Sequence, residues 1–200
     1  AKLVHKYIPT PKQLEGHETV VPNLILEGRR GTGKSVWSRN DAHMRALAHD
    51  GFVYLVIRRT MGELKKSHLK FMPKEMLAMG GGFHKTDAIA TYPNGSQGFF
   101  ASCEGEDEMM KLLSSEYHAI YFDEISTFTW TMVTKIGSCL RVPEEEEGAN
   151  VLAIIRGGTN PIGVGAGEVR KYFITKDVDY EEAPDYNPDA YLALHPTLDD

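Results

Sequence analysis

Gly28-Arg29-Arg30-Gly31-Thr32-Gly33-Lys34-Ser35 fills every fixed position of the pattern G-x-x-x-x-G-K-[ST]. Such a loop is suited to wrapping phosphate, because its glycines let successive backbone N–H groups turn inward with no Cβ in the way. Lys34 can then reach the β- and γ-phosphates of a nucleoside triphosphate, and Ser35 can offer its hydroxyl to Mg²⁺. The flanks agree. Asn23-Leu24-Ile25-Leu26-Glu27 reads as a short buried strand, and Val36 to His49 reads as a helix. A strand, a glycine loop and a helix N-terminus together give the loop the dipole that anion binding uses.

Bulk properties restrict the remaining choices. The chain has 200 residues, 42% hydrophobic and 25% charged, which suits one globular domain with a sizeable core. No run is long enough for a membrane span, and the N-terminus lacks an apolar leader, so no membrane partner and a cytoplasmic location are expected. Cys103 and Cys139 are far apart, which predicts reduced structural thiols and no zinc site. The eight histidines form no ligand pattern and read as surface or packing residues. A net charge of −6 argues against a surface that coats nucleic acid all over. Charge is uneven, however: Arg58, Arg59, Lys65, Lys66, Lys70 and Lys74 form a basic stretch, and Glu144 to Glu147 an acidic run read as an exposed loop.

The organisation outward from the loop is an alternation of strands and helices. Phe52 to Ile57 is a continuous apolar run of the kind buried on both faces of a parallel sheet. Thr60 to Met79 reads as a helix in two pieces broken at Pro73. Asn94-Gly95 between Ala88–Tyr92 and Gly98–Ser102 predicts a hairpin. Short helices are expected over Glu106–Leu113 and Trp130–Leu140, and core strands over Ala119–Phe122 and Val151–Ile155. Residues 1 to 22 read as an irregular lead-in. The expected fold is α/β, a P-loop NTPase with a mainly parallel central sheet flanked by helices and one antiparallel hairpin. Residues 1–177 would form the ATPase domain, and the acidic stretch 178–200 a solvated tail or linker.

A second wall of the nucleotide site follows from Ala119-Ile120-Tyr121-Phe122, which runs into Asp123-Glu124. Ligands of open α/β sheets sit at the carboxyl ends of the strands. Asp123 there suits the hydration shell of Mg²⁺, and Glu124 suits a general base that polarises the attacking water. The pair favours water as acceptor, hence ATP hydrolysis. Gly157-Gly158-Thr159-Asn160-Pro161 would place Thr159 and Asn160 at the same edge, where small polar groups can sense the γ-phosphate.

The order of these pieces resembles the ATPase domain of the large terminase subunit of tailed bacteriophages. The resemblance is carried by Tyr7-x-Pro9-x-Pro11-x-Gln13, the loop Gly28 to Ser35, Val56 to Thr60, Tyr92 to Ser96, Tyr121 to Glu124 and Gly158 to Pro161. It implies that Gln13, with Tyr7 nearby, contacts adenine, that Arg30 acts near the γ-phosphate, and that Thr159 and Asn160 couple hydrolysis to movement. It further implies translocation of double-stranded DNA into a procapsid in the host cytoplasm, a homo-oligomeric ring, and portal protein and small terminase subunit as partners. A C-terminal nuclease domain would lie beyond this chain. One departure stands out: no arginine lies between Arg59 and Arg141, so the residue reaching a neighbour's nucleotide is Lys111 or lies elsewhere. A helicase-like or repair ATPase, and a nucleotide-dependent assembly module without turnover, remain alternatives.

Overall fold

The computed structural model describes residues 7–141 and 153–197. Helix α1 (Pro11–Glu18) is followed by β1 (Asn23–Glu27), α2 (Lys34–Ala48) and β2 (Val53–Arg58). Then come α3 (Met61–Leu64), α4 (Met72–Ala78), the strands β3 (Gly82–His84), β4 (Ile89–Thr91) and β5 (Gln97–Ser102), and α5 (Glu106–Leu112). The chain continues with β6 (Ala119–Asp123), α6 (Trp130–Gly137), β7 (Ile154–Thr159), α7 (Ala166–Val169) and β8 (Tyr191–Leu194). The eight strands form one sheet in the order β3-β4-β5-β2-β6-β7-β1-β8. Pairings from β5 to β8 are parallel, and β3-β4-β5 is an antiparallel meander.

The period of two along the central strands divides the core between the two faces. Leu55 and Ile57 of β2 and Ile120 and Phe122 of β6 pack with Met132, Val133 and Ile136 of α6. The alternate residues Tyr54, Val56, Ala119 and Tyr121 pack under Ala42 and Ala46 of α2 and Met72 and Met76 of α4. Trp37 of α2 closes a third cluster with Leu24, Leu26 and Leu194. Both cysteines are free and buried, and no helix among the described residues is long and apolar enough to cross a membrane.

Several expectations change. The lead-in contains α1, which the local sequence specifies: Thr10 caps it, Pro11 opens it, and the Gln13 side chain returns to the Thr10 N–H in a capping box. Between residues 60 and 79 the chain makes α3, a π-helical turn over Lys65–Leu69, and α4. Pro73 lies in the first turn of α4, where a missing N–H costs nothing, rather than at a break. The strand expected over Val151–Ile155 is β7, which runs on to Thr159, so Gly157, Gly158 and Thr159 lie within it. The segment expected to be a tail supplies β8, which pairs with β1 in the register Leu26↔Leu194. Its short apolar run Tyr191–Leu194 escapes notice beside so many acids, yet only sheet pairing satisfies its backbone. The glutamate run and the expected strand residues Val151 and Leu152 lie outside the described residues.

Candidate active site

The carboxyl ends of β1, β6 and β7 open into one cavity of about 920 Å³, lined by Arg30, Lys34, Ser35, Arg58, Glu124 and Asn160 among others. Its floor is the loop from Gly28 to Gly33. Gly31 and Gly33 adopt positive φ of 94° and 78°, which turns the loop into the N-terminus of α2 and is accessible to glycine at little cost. Gly158 also sits at a close approach: a Cβ there would lie 3.1 Å from Lys34 Cβ, so a side chain would crowd the passage of β7 under the first turn of α2.

The polar groups at this edge form one connected set. Lys34 Nζ donates to Gly28 O (2.6 Å), Arg29 O (2.9 Å) and Asn160 Oδ1 (3.0 Å). Burial pushes the Lys34 ammonium below its ordinary pKa, against the pull of Glu124 and Asp123. Asn160 turns its other face to Glu124, its backbone N–H donating to Oε2 (3.1 Å) and its Nδ2 to Oε1 (2.9 Å). Asn160 thus joins the loop lysine to the carboxylate from a third element. Glu124 itself sits at φ 62°, ψ 59°, a left-handed conformation uncommon outside glycine and one that concentrates at functional sites. That turn carries its side chain back over the sheet edge.

Asp123, 2% exposed at the end of β6, accepts from Ser35 Oγ at 2.9 Å. Its other oxygen takes a hydrogen bond from Arg58 Nη1 and lies 3.1 Å from His68 Nε2. The His68 contact is electrostatic rather than a well-aligned hydrogen bond. Burial works against the charge on Asp123, but His68, Arg58 and Ser35 outweigh it and hold the carboxyl below the usual carboxylate range. Neither Arg58 nor His68 was singled out for this place by the sequence. Arg58 belonged to the basic stretch and His68 to the scattered histidines. The signal that could have found Arg58 is the register Ile57↔Phe122, which makes the next residues, Arg58 and Asp123, neighbours across two parallel strands. For His68 no such pattern exists, since it reaches Asp123 from the π-helical turn.

The remaining expected site residues divide. Arg29, Arg30, Gly31 and Gly33 line the cavity, with Arg30 exposed. Thr32 is buried and donates to Arg29 O. Thr159 faces away: it is fully buried and its Oγ1 donates to Asn160 O, so it shapes the turn rather than lining the cavity. Gln13 is 4% exposed and braces the loop, its Nε2 donating to Thr32 O and Gly33 O at 3.4 Å. Tyr7 donates to Gln13 Oε1 (3.2 Å) and contacts His17 Nε2 (2.9 Å), behind the loop. Lys111 is exposed on α5 and does not line this cavity.

The donor set suits a hard divalent cation completed by phosphate oxygens and water: a hydroxyl, Ser35, beside an ionised carboxylate, Asp123. Among the described residues no group of three or more His, Cys, Asp and Glu side chains forms a metal cage.

No protein-family model matches the chain, and no curated protein sequence matches it. Solved structures do. The large terminase from a thermophilic bacteriophage superposes with a TM-score of 0.68 at 18% identity, over 95% of this chain and 46% of that one. The same protein in complex with ADP gives 0.64 at 19% identity, with the same coverage. The large terminase ATPase domain of Thermus phage P74-26 gives 0.67 at 14% identity, over 94% of this chain and 81% of that one. This chain therefore spans less than half of the first of these proteins and has the fold of their ATPase domains.

Proposed function

We propose that this chain, sharing its fold with phage large terminases, is an Mg²⁺-dependent ATPase that drives double-stranded viral DNA into a procapsid. The observation that carries the hydrolytic reading is the Lys34–Asn160–Glu124 chain beside Ser35–Asp123, five side chains from three separate elements, all but the buried Asp123 lining one cavity. Ser35 and Asp123 would hold Mg²⁺, which would screen the phosphate charge. Lys34 would leave the Gly28 and Arg29 carbonyls for the β- and γ-phosphates, stabilising charge that builds during transfer. Arg30, exposed at the rim, would add a second cation at the γ-phosphate. Glu124 would accept a proton from the water that attacks phosphorus, while the bridging oxygen leaves with ADP.

Asn160 is bonded to both Lys34 and Glu124, so a γ-phosphate that draws Lys34 away also loosens Asn160 and the turn after β7. Coupling of hydrolysis to movement would begin there. The wider setting belongs to the same proposal: a homo-oligomeric ring, portal protein and small terminase subunit as partners, the host cytoplasm as the location, and a nuclease domain elsewhere in a longer protein. Phosphate release under saturating Mg²⁺ and ATP tests the core. Glu124→Gln should keep nucleotide binding and lower turnover at least a hundredfold. Undiminished release in that variant would refute the assigned base, and no release from the unaltered chain with DNA present would favour an assembly module.

A further inference from the structure

We infer that Arg39 of α2 is a positioning residue for the metal-binding pair, its guanidinium fixing the backbone of Ser35 and of the π-helical turn that carries His68 to Asp123. The inference rests on the ATPase reading above and adds to it a residue that does not line the cavity. Arg39 lies one helical turn beyond Ser35 and is 3% exposed. Its Nη1 donates to Ser67 O (2.7 Å) and to Ser35 O (3.3 Å), and its Nε donates to Glu75 Oε1 (3.3 Å). The guanidinium carbon also stands 4.3 Å from the centre of the Phe71 ring, whose face attracts a cation. One rigid plane thus meets α2, the π-helical turn and α4.

Two of the groups that face Asp123 depend on this plane. Ser35 Oγ donates to Asp123 at 2.9 Å, and the Ser35 carbonyl is one of the two that Arg39 holds. His68 directly follows Ser67, whose carbonyl is the other. Neither ring nitrogen of His68 makes an aligned hydrogen bond, although Nε2 lies 3.1 Å from Asp123. The fully buried ring is therefore placed by packing and by the backbone that carries it. That backbone is a wide turn, with Lys70 N–H donating to Lys65 O at 3.2 Å. Carbonyls at the end of a helical turn run out of intrahelical donors, and Arg39 supplies one to Ser67. Glu75 is 3% exposed and balances the guanidinium charge, while its second oxygen lies 3.1 Å from His43 Nε2. A lysine would keep the charge opposite Glu75, but it lacks the planar fork that serves two carbonyls and the acid at once. Removing a group that orients metal ligands in this way changes metal affinity about 10–100-fold.

Calorimetric titration of the whole chain with ADP, in Mg²⁺ and again in EDTA, tests this, because the ratio of the two affinities isolates the metal's contribution. The unaltered chain should bind ADP more tightly in Mg²⁺. Arg39→Lys should lose about tenfold of that gain and nothing in EDTA. Glu75→Gln removes the buried negative charge and leaves the arginine fork, so it should melt below the parent yet keep the Mg²⁺ gain. An Arg39→Lys variant with the parent's full gain overturns the inference. Equal losses in Mg²⁺ and EDTA also overturn it, since Arg39 would then support the nucleotide site as a whole. So does a Glu75→Gln variant that loses the gain as Arg39→Lys does, which would trace the effect to the buried ion pair and its stability. An unaltered chain whose ADP affinity is the same in Mg²⁺ and in EDTA refutes the metal assignment within the ATPase reading, and the inference with it.

Discussion

Replacing Arg58 by alanine strips Asp123 of its guanidinium partner while leaving the carboxylate almost wholly out of water. Removing one member of a buried pair costs about 3–5 kcal/mol, because the survivor keeps its desolvation penalty without compensation. Two features place Arg58→Ala at the low end, about 3 kcal/mol. Ser35 Oγ and His68 Nε2 remain at 2.9 and 3.1 Å from the carboxylate, and the arginine side chain is itself 16% exposed. For a chain of this size each kcal/mol moves the melting temperature by about 2–4 °C, so the midpoint should fall by about 6–12 °C. Thermal unfolding followed by circular dichroism, without nucleotide, measures it. Arg58→Lys should recover part of the loss, since an ammonium restores the charge without the guanidinium fork. Mg²⁺ with ADP should raise the midpoint of Arg58→Ala more than that of the unaltered chain, where the metal must compete with the resident arginine for Asp123. A midpoint within about 2 °C of the parent would show that Asp123 draws its stability from Ser35 and His68 alone, and the pairing argument would fail.

Two further outcomes test packing and charge away from the cavity. Gly98→Ala puts a Cβ 2.1 Å from the ring of Tyr54, a fully buried side chain whose hydroxyl bonds Tyr92. The overpacking should cost about 1–3 kcal/mol in urea unfolding, and an unchanged midpoint would show that β5 can shift. Asp41, buried in α2, is opposed by burial but held below its ordinary pKa of 3.8 by His17, Arg45 and Arg156. Its folded pKa is depressed, so its contribution is complete above 3.8 and disappears as pH falls from there through the folded value. The stability gap between the parent and Asp41→Asn should therefore be widest near neutrality and narrow below pH 3.8. A gap that widens in acid would contradict that sign.

What could be read along the chain, and what could not, follows from where each interaction is specified. The phosphate loop, the central strands, the hairpin and the Asp123-Glu124 pair are contiguous patterns. Glycine spacing, β-branched runs and Asn-Gly turns act on the backbone within a few residues, so their reading needs no knowledge of neighbours. The α/β class follows from their alternation. The tertiary structure decided the rest. Arg58 meets Asp123 because β2 and β6 pair in one register, and His68 joins them from a turn that no periodicity marks. Asn160 became the link between Lys34 and Glu124, positions far apart in sequence. Gln13, expected as the base contact, is found bracing the loop, its amide capping α1 and reaching the Thr32 and Gly33 carbonyls. An acidic stretch expected to be a tail became a sheet strand, since four residues beside an open strand edge can satisfy their backbone by pairing. Local chemistry therefore fixed which groups the chain carries, and long-range strand register fixed which of them meet.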